Sequence, residues 1–378
     1  MGEALDAYLG IAAPHLSPRL VSPEALEHLG RIACQLPPTS VSGFECRLGQ
    51  EEARADLGVR FLAEDGSRAV LAGRGDPEGR FALSRFTHPV WQRLRRFGAR
   101  WDDPGSRLAE EVGDIFLEFD VEGPPEAEPL PAFFIEYARQ APRRLEVLEE
   151  ALALLWAEPL APAVRERLVA CLAALPAGAR VSAVGAMFSR RFEGVRLCLH
   201  GLTPATLPGY LERVGWPGTR ADWEPLLTAV APGVERIALG LDVGARVLPR
   251  LGVVCHLAES LQEADTARWS SLLGELEVRG VCLPDKRRAL LDWVGHTHLR
   301  ARPEALPAHL RAQSAALGPQ ALPVFLRRIN HVKLVFQPGQ PPEAKAYLAL
   351  IQRWLGRDRR HGRYVFGDLH EVRASLAP

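Results

Sequence analysis

Lysine is almost missing from this 378-residue chain: Lys286, Lys333 and Lys345 are the only three, and arginine carries nearly all the positive charge. Net charge is missing as well, with 46 Lys and Arg against 46 Asp and Glu. A neutral chain lacks the basic footprint that nucleic acid demands, so no nucleic-acid partner is expected. No apolar run approaches the ~18 to 20 residues that cross a bilayer. The N-terminus has no basic start followed by an apolar core, and Asp6 breaks the myristoylation pattern, so neither a secretory leader nor that lipid anchor is read there. The six cysteines form no CxxC pair, and three of them lie in apolar strand-like runs. This predicts buried free thiols in a reducing cytoplasm, not a disulfide framework.

Recognisable motifs are equally scarce. Gly73-Arg74-Gly75 with Gly79 lacks the GxGxxG spacing and contains Pro77, so it reads as a turn. No GxSxG supports a hydrolase. His296-Thr297-His298 has the spacing of a strand-borne ligand pair, but no HxxxH or HExxH is present. Asp102-Asp103 runs straight into Pro104, with no DDxxD pattern. No metal and no cofactor are expected.

What is present is a globular composition, 47% hydrophobic and 24% charged, which excludes global disorder, and a repeating order of elements read as one domain over residues 1–378. Strand-like runs come in pairs: Ser40 to Leu48 with Leu57 to Glu64, Gly113 to Glu122 with Pro131 to Ala138, Arg180 to Phe188 with Glu193 to Gly201, and Val234 to Val243 with Pro249 to Leu257. Helical stretches separate them: Trp91 to Trp101, two helices between Arg143 and Leu175 broken near Pro159, Thr203 to Gly215, Ala267 to Gly280 and Pro284 to Gly295. A last strand, Ile329 to Gln337, is followed by Pro341 to Gly356, which reads as a helix. The tryptophans Trp216, Trp223, Trp269, Trp293 and Trp354 sit in or beside these helical segments and read as packing anchors. Short strand-to-strand links mean antiparallel hairpins, not βαβ crossovers, so a dinucleotide fold is not expected. The fold class is α+β with repeated ββα units.

Alternation divides every strand into two faces. Val59 and Phe61 oppose Arg60. Ile115, Leu117 and Phe119 oppose Phe116, Glu118 and Asp120. Val195, Leu197 and Leu199 oppose Arg196, Cys198 and His200. Leu251, Val253 and Cys255 oppose Arg250, Gly252 and His256. Val332 and Leu334 oppose His331 and Lys333. One face is apolar and belongs under helices; the other mixes charge, imidazole, Gly and Phe. An open sheet would turn that second face to water. A barrel of about ten antiparallel strands would turn it into a lumen too wide for side chains to fill, and the interspersed Gly and Phe favour the barrel.

This organisation resembles the ABBA (prenyltransferase-barrel) family, a ten-stranded antiparallel barrel ringed by helices. The resemblance implies a metal-independent transferase that moves an isoprenoid group from a diphosphate donor to an aromatic or peptide acceptor in the lumen. It implies a cationic diphosphate set drawn from Arg60, Arg196, Arg236, Arg250, His256 and Lys333. It also implies a lumen carboxylate, Glu118, that positions or deprotonates the acceptor, with His200 and His331 as further acid–base groups. The family shields its allyl cation with lumen tyrosines; here there are five Tyr, and Tyr137 alone is read in a clear strand. Converging arginines and lysines suit a diphosphate, and a desolvated carboxyl suits a base. The plainer alternative pairs each arginine with Glu45, Glu64, Asp120 or Asp242. A noncatalytic protein holding a peptide or small ligand in the same chamber, or a different enzyme on the same scaffold, is the second functional reading. The basic stretch Trp91 to Arg100 reads as a solvated helix face or as a dock for an acidic partner.

Overall fold

The computed structural model describes residues 4–76, 81–121, 128–190, 194–257, 264–300, 303–318, 321–357 and 363–376. Twelve strands form one sheet: β1 (Val41–Arg47), β2 (Ala55–Leu62), β3 (Val112–Phe119), β4 (Ala132–Tyr137), β5 (Arg180–Met187), β6 (Val195–His200), β7 (Arg236–Val243), β8 (Val247–His256), β9 (Gly295–His298), β10 (Ala321–Phe336), β11 (Glu343–Arg357) and β12 (Tyr364–Gly367). Each of β1 to β8 pairs antiparallel with its sequence neighbour, β8 pairs with β10, β10 with β11, and β11 with β1. Ten strands therefore close into a barrel. The long strands β10 and β11 extend past it and take β9 and β12 on their outer flanks.

The helices ring the outside and cover the apolar parity of each strand. Leu57, Val59, Leu117, Leu197, Leu251 and Leu334 are fully buried in one continuous core with helix residues such as Leu94, Phe97 and Leu290. Indole N–H groups fix the layers to one another: Trp91 donates to the Pro129 carbonyl, Trp101 to Val112, Trp216 to Pro249 and Trp293 to Arg328. In the basic helix Pro89–Trp101, Arg96 is exposed, and its other arginines have partners. Arg93 and Arg95 donate to the carbonyls of Trp156 and Phe86, and Arg100 pairs with Asp103 and Glu150. Gly73 has φ +76°, as a turn requires; Gly79 and Pro77 lie outside the described residues. Among the described residues no helix is long and apolar enough to cross a membrane.

Two elements differ from their sequence reading: the strand read over Ile329 to Gln337 already starts at Ala321, and the helix read after it is a strand. Residues 341–356, with three Ala and three Leu, read as a helix, but all save the last residue of strand β11 lies in them, and Trp354 is a strand residue. Intrinsic helix preference is worth only tenths of a kcal/mol per residue. It yields to two hydrogen-bonded ladders, because β11 satisfies its backbone against β1 on one side and β10 on the other. The period-2 signal was there: Ala344, Ala346, Leu348, Leu350 and Trp354 are buried on one face, while Lys345 and Tyr347 take the other.

The seam between β1 and β11 leaves no room for a side chain at Gly43, where a Cβ would overlap the Leu348 carbonyl oxygen. Gly43→Val should cost roughly 3 kcal/mol or more, the upper end of overpacking penalties, read as a lowered urea midpoint. An unchanged midpoint would show that the seam is looser than this.

Candidate active site

A cavity of about 1420 Å³ opens at one end of the barrel, lined by strand residues Arg60, Asp114, Glu136, Arg180, His200 and Arg236 among others. Arg60 is held by two carboxylates, 2.6 Å from Asp114 and 2.7 Å from Glu136. Arg180 is the cross-strand partner of His200. Arg236 lies two residues along β7 from Ala238, which is the partner of His200 on its other side. Neither Arg180 nor Arg236 meets a carboxylate at ion-pair distance among the described residues. Arg143 approaches the same place, donating to the carbonyls of Val181 at 2.8 Å and Ala141 at 2.7 Å, with its guanidinium 5.9 Å from the centre of the Tyr137 ring. Burial, and then Arg236, Arg180 and Arg143, push His200 down to about 4. It is a neutral imidazole facing three cations.

From His200 a file of rings crosses the inner wall. The His200 and His256 centroids are 6.0 Å apart, His256 and His331 are 5.2 Å apart, and His331 stacks on Tyr347 at 4.1 Å. Burial, then Arg236, also lowers His256 to about 4, and burial followed by His256 and Lys333 takes His331 well below its ordinary value. The facing wall is apolar, with Phe134, Met187 and Ala132 packed together beside Phe116 and Cys198. Phe116, Cys198, Val254, His331, Lys333 and Tyr347 all point inward yet retain accessible surface, so the lumen contains space.

Lys333 makes no hydrogen bond or ion pair among the described residues. Its stem lies over Gly252, where a Cβ would come within 2.7 Å of its Cε. Burial and the neighbouring Arg196 lower its ammonium to about 8 against the pull of Glu45 and Glu118. Glu118 is 6% exposed and stands 3.7 Å from Arg190. Burial, then the charge of Glu45, raises it to about 8. Glu45 goes the other way: burial opposes ionisation, but Lys345, which donates to it, and Lys333 hold it well below the carboxylate range. The Tyr347 hydroxyl also donates to Glu45. Glu118 is thus the protonated member of a pair whose charge resides on Glu45. With Asp56 these residues offer three carboxylate oxygens within 4.8 Å of one another, the one such cluster of potential metal ligands among the described residues. It already faces Lys345, and Arg47 at 3.1 Å from Asp56.

The sequence-derived candidates therefore separate by depth. Arg60, His200 and Arg236 line the mouth; Glu118, His256, His331 and Lys333 lie in the inner lumen. Arg196 is bidentate on Asp242 at 2.6 and 2.9 Å, the pairing that the plainer alternative names. Arg250 has lumen parity further along β8, is half-buried, and contacts no charged partner among the described residues. Sequence reasoning missed Lys345 and Tyr347, which went with the supposed helix, and so undercounted the strand tyrosines. Tyr137 itself lies on the helix-facing side and reaches only the cavity rim. Glu45 was read only as an ion-pair partner. Arg180 and Arg143 gave no signal, because their approach to His200 depends on a bulge between Val181 and Ala183 and on a left-handed φ of 58° at Arg143.

Glu118 makes stability depend on pH. Its folded-state value of about 8 stands above the ordinary 4.5, so the folded protein holds a proton that the unfolded chain has lost, and stability declines from pH 4.5 to 8. Glu118→Gln mimics the protonated form. It should match the native protein at pH 5 and exceed it by roughly 1–3 kcal/mol at pH 8.5, measured by urea denaturation at both values. A loss at pH 8.5 would show that the fold favours the ionised carboxyl and lowers its value instead of raising it.

No protein-family model matches the sequence, and no curated protein matches it. Among solved structures, the chain is similar to 5-dimethylallyltryptophan synthase from Streptomyces coelicolor, with a TM-score of 0.53 and 18% identity over 92% of this chain and 98% of that one. It is also similar to a 6-dimethylallyl tryptophan synthase, with a TM-score of 0.52 and 14% identity over 91% and 94% of the two chains. At such identities the likeness is one of architecture. Closed by ten antiparallel strands and ringed by helices, the chain has the ABBA prenyltransferase-barrel fold.

Proposed function

We propose that the protein transfers an isoprenoid group from a diphosphate donor to an aromatic or peptide acceptor held in the barrel lumen. The observation that carries this reading is the arginine pair Arg180 and Arg236, without an ion-pair partner among the described residues and joined by Arg143 around neutral His200 at the cavity wall. Several charge-assisted donors converging on one place are what a diphosphate needs, and they do for the leaving group what a divalent cation would otherwise do. As the C1–O bond of the donor breaks, its electron pair leaves with the diphosphate onto these arginines. The allylic cation faces the rings of Phe116 and Phe134, whose π-faces attract positive charge. The acceptor carbon bonds to C1 and gives up its proton to Lys333, whose lowered value leaves part of it as free amine near neutrality. The structural relatives named above are dimethylallyltryptophan synthases, which supports a diphosphate donor and an indole-like acceptor.

A second reading, a noncatalytic protein that holds its ligand in the same chamber, draws on the tyrosines. Tyr347 is the lumen tyrosine among the described residues, and its hydroxyl is committed to Glu45, so the cation would be shielded by phenylalanine and not by tyrosine.

Incubation with dimethylallyl or geranyl diphosphate and tryptophan or tryptophan-containing peptides, followed by mass spectrometry, separates the two readings. Arg180→Ala and Arg236→Ala should each weaken inorganic diphosphate binding by about 10-fold or more, the worth of one charged hydrogen bond, in calorimetry at fixed salt. If inorganic diphosphate does not bind the native protein, the transferase reading falls. If it binds and no acceptor is alkylated, the binding-protein reading stands.

A further inference from the structure

Arg180, His200 and Arg236 have a second face. Behind them lies a groove of about 410 Å³, formed by the turn that leaves β6 and the turn that enters β7. Its remaining walls are mostly apolar: Leu202, Pro204, Ala231, Val234 and Ile237. Leu202 and Ile237 are buried beneath it. Its other polar side chains are occupied elsewhere, Thr203 with Thr206 and Glu235 with Arg268 at 3.6 Å. The two cavities thus share one cationic wall. On one side is a large chamber of mixed lining, with Arg60, Asp114 and Glu136 beside Leu62, Tyr137 and Trp354; on the other is a small slot whose walls are mostly apolar.

An anion held at that wall has two places for the rest of its body. An apolar tail gains most where it leaves water for apolar surroundings, and that is the groove. The groove has room for about a dozen water-sized groups at ~30 Å³ each, more than the five carbons of a dimethylallyl group would fill. We infer that the groove receives the distal isoprene units of a ten- or fifteen-carbon allylic diphosphate, and that C1 stays at the arginine pair, open to the acceptor chamber. The inference rests on the transferase reading and deepens it, because it names the chain-length class of the donor.

The test uses inorganic diphosphate and the non-ionising thiolodiphosphates of dimethylallyl, geranyl and farnesyl alcohols, titrated into the native protein and into Ala231→Trp by calorimetry. The native protein should bind the geranyl or farnesyl analogue ~10-fold or more tighter than the dimethylallyl one, as expected for apolar carbons leaving water. In Ala231→Trp that preference should vanish while inorganic diphosphate binds as before. Val234→Phe, a smaller intrusion from the same wall, gives the same readout if the tryptophan is not tolerated. Equal affinity for all three chain lengths, or a preference that survives both variants, overturns the inference and leaves the diphosphate site intact. Failure of inorganic diphosphate to bind the native protein overturns the transferase reading itself, and the inference with it.

Discussion

Strand β11 hydrogen-bonds to β1 along one side and to β10 along the other, and with those two ladders the barrel is closed. A closed wall removes the usual escape for polar side chains. In an open sheet the inward parity of each strand would turn to water; here it turns to a shared interior, where every charge must find another charge or remain costly. The seam supplies its own answer. Lys345 and Tyr347 on β11 donate to Glu45 on β1, which keeps Glu45 ionised. Burial, and then that fixed negative charge, keep Glu118 protonated. Removing one strand of the seam would remove the ordering of protons in the lumen along with the wall.

The interior is electrostatically uneven along its length. Arg196 with Asp242, Arg190 with Asp120, and Arg47 with Asp56 are closed pairs, and a closed pair has little field left for a ligand. At the mouth, Arg180 and Arg236 are open, and Arg143 is held by carbonyls and not by a carboxylate. The mouth also carries carboxylates, Asp114 and Glu136 on Arg60 among them, so what sets it apart is that Arg180 and Arg236 have no ion-pair partner among the described residues. The histidine file and the apolar wall of Phe116 and Phe134 lie between the open and the closed ends.

How much of this was legible follows from what each feature depends on. Strand parity is local: with Val332 and Leu334 beneath helices, Lys333 has to face inward, and the same held for Glu118, His200 and Arg196. Hairpin connections are also local, and they gave the antiparallel barrel. The identity of β11 was not local, since its alanines, leucines and lysine favour a helix until the neighbouring strands exist to pair with. Cross-strand meetings were out of reach for a similar reason. Whether Arg196 would meet Asp242 or a ligand depends on the register of β6 against β7, and Arg180 reaches His200 only through a bulge that no residue pattern announces.

The scarcity of lysine has a practical consequence. Lys286 is 1% exposed and its ammonium donates to the carbonyls of Arg47 and Glu52; Lys345 is locked against Glu45. Among lysine side chains only Lys333 has an amine with no hydrogen-bond or ion-pair partner among the described residues, and it faces the lumen. Mild reductive methylation with a carbon-13 label would therefore write a single side-chain resonance into the middle of the chamber. The protein carries its own spectroscopic reporter, placed to register whatever enters the barrel.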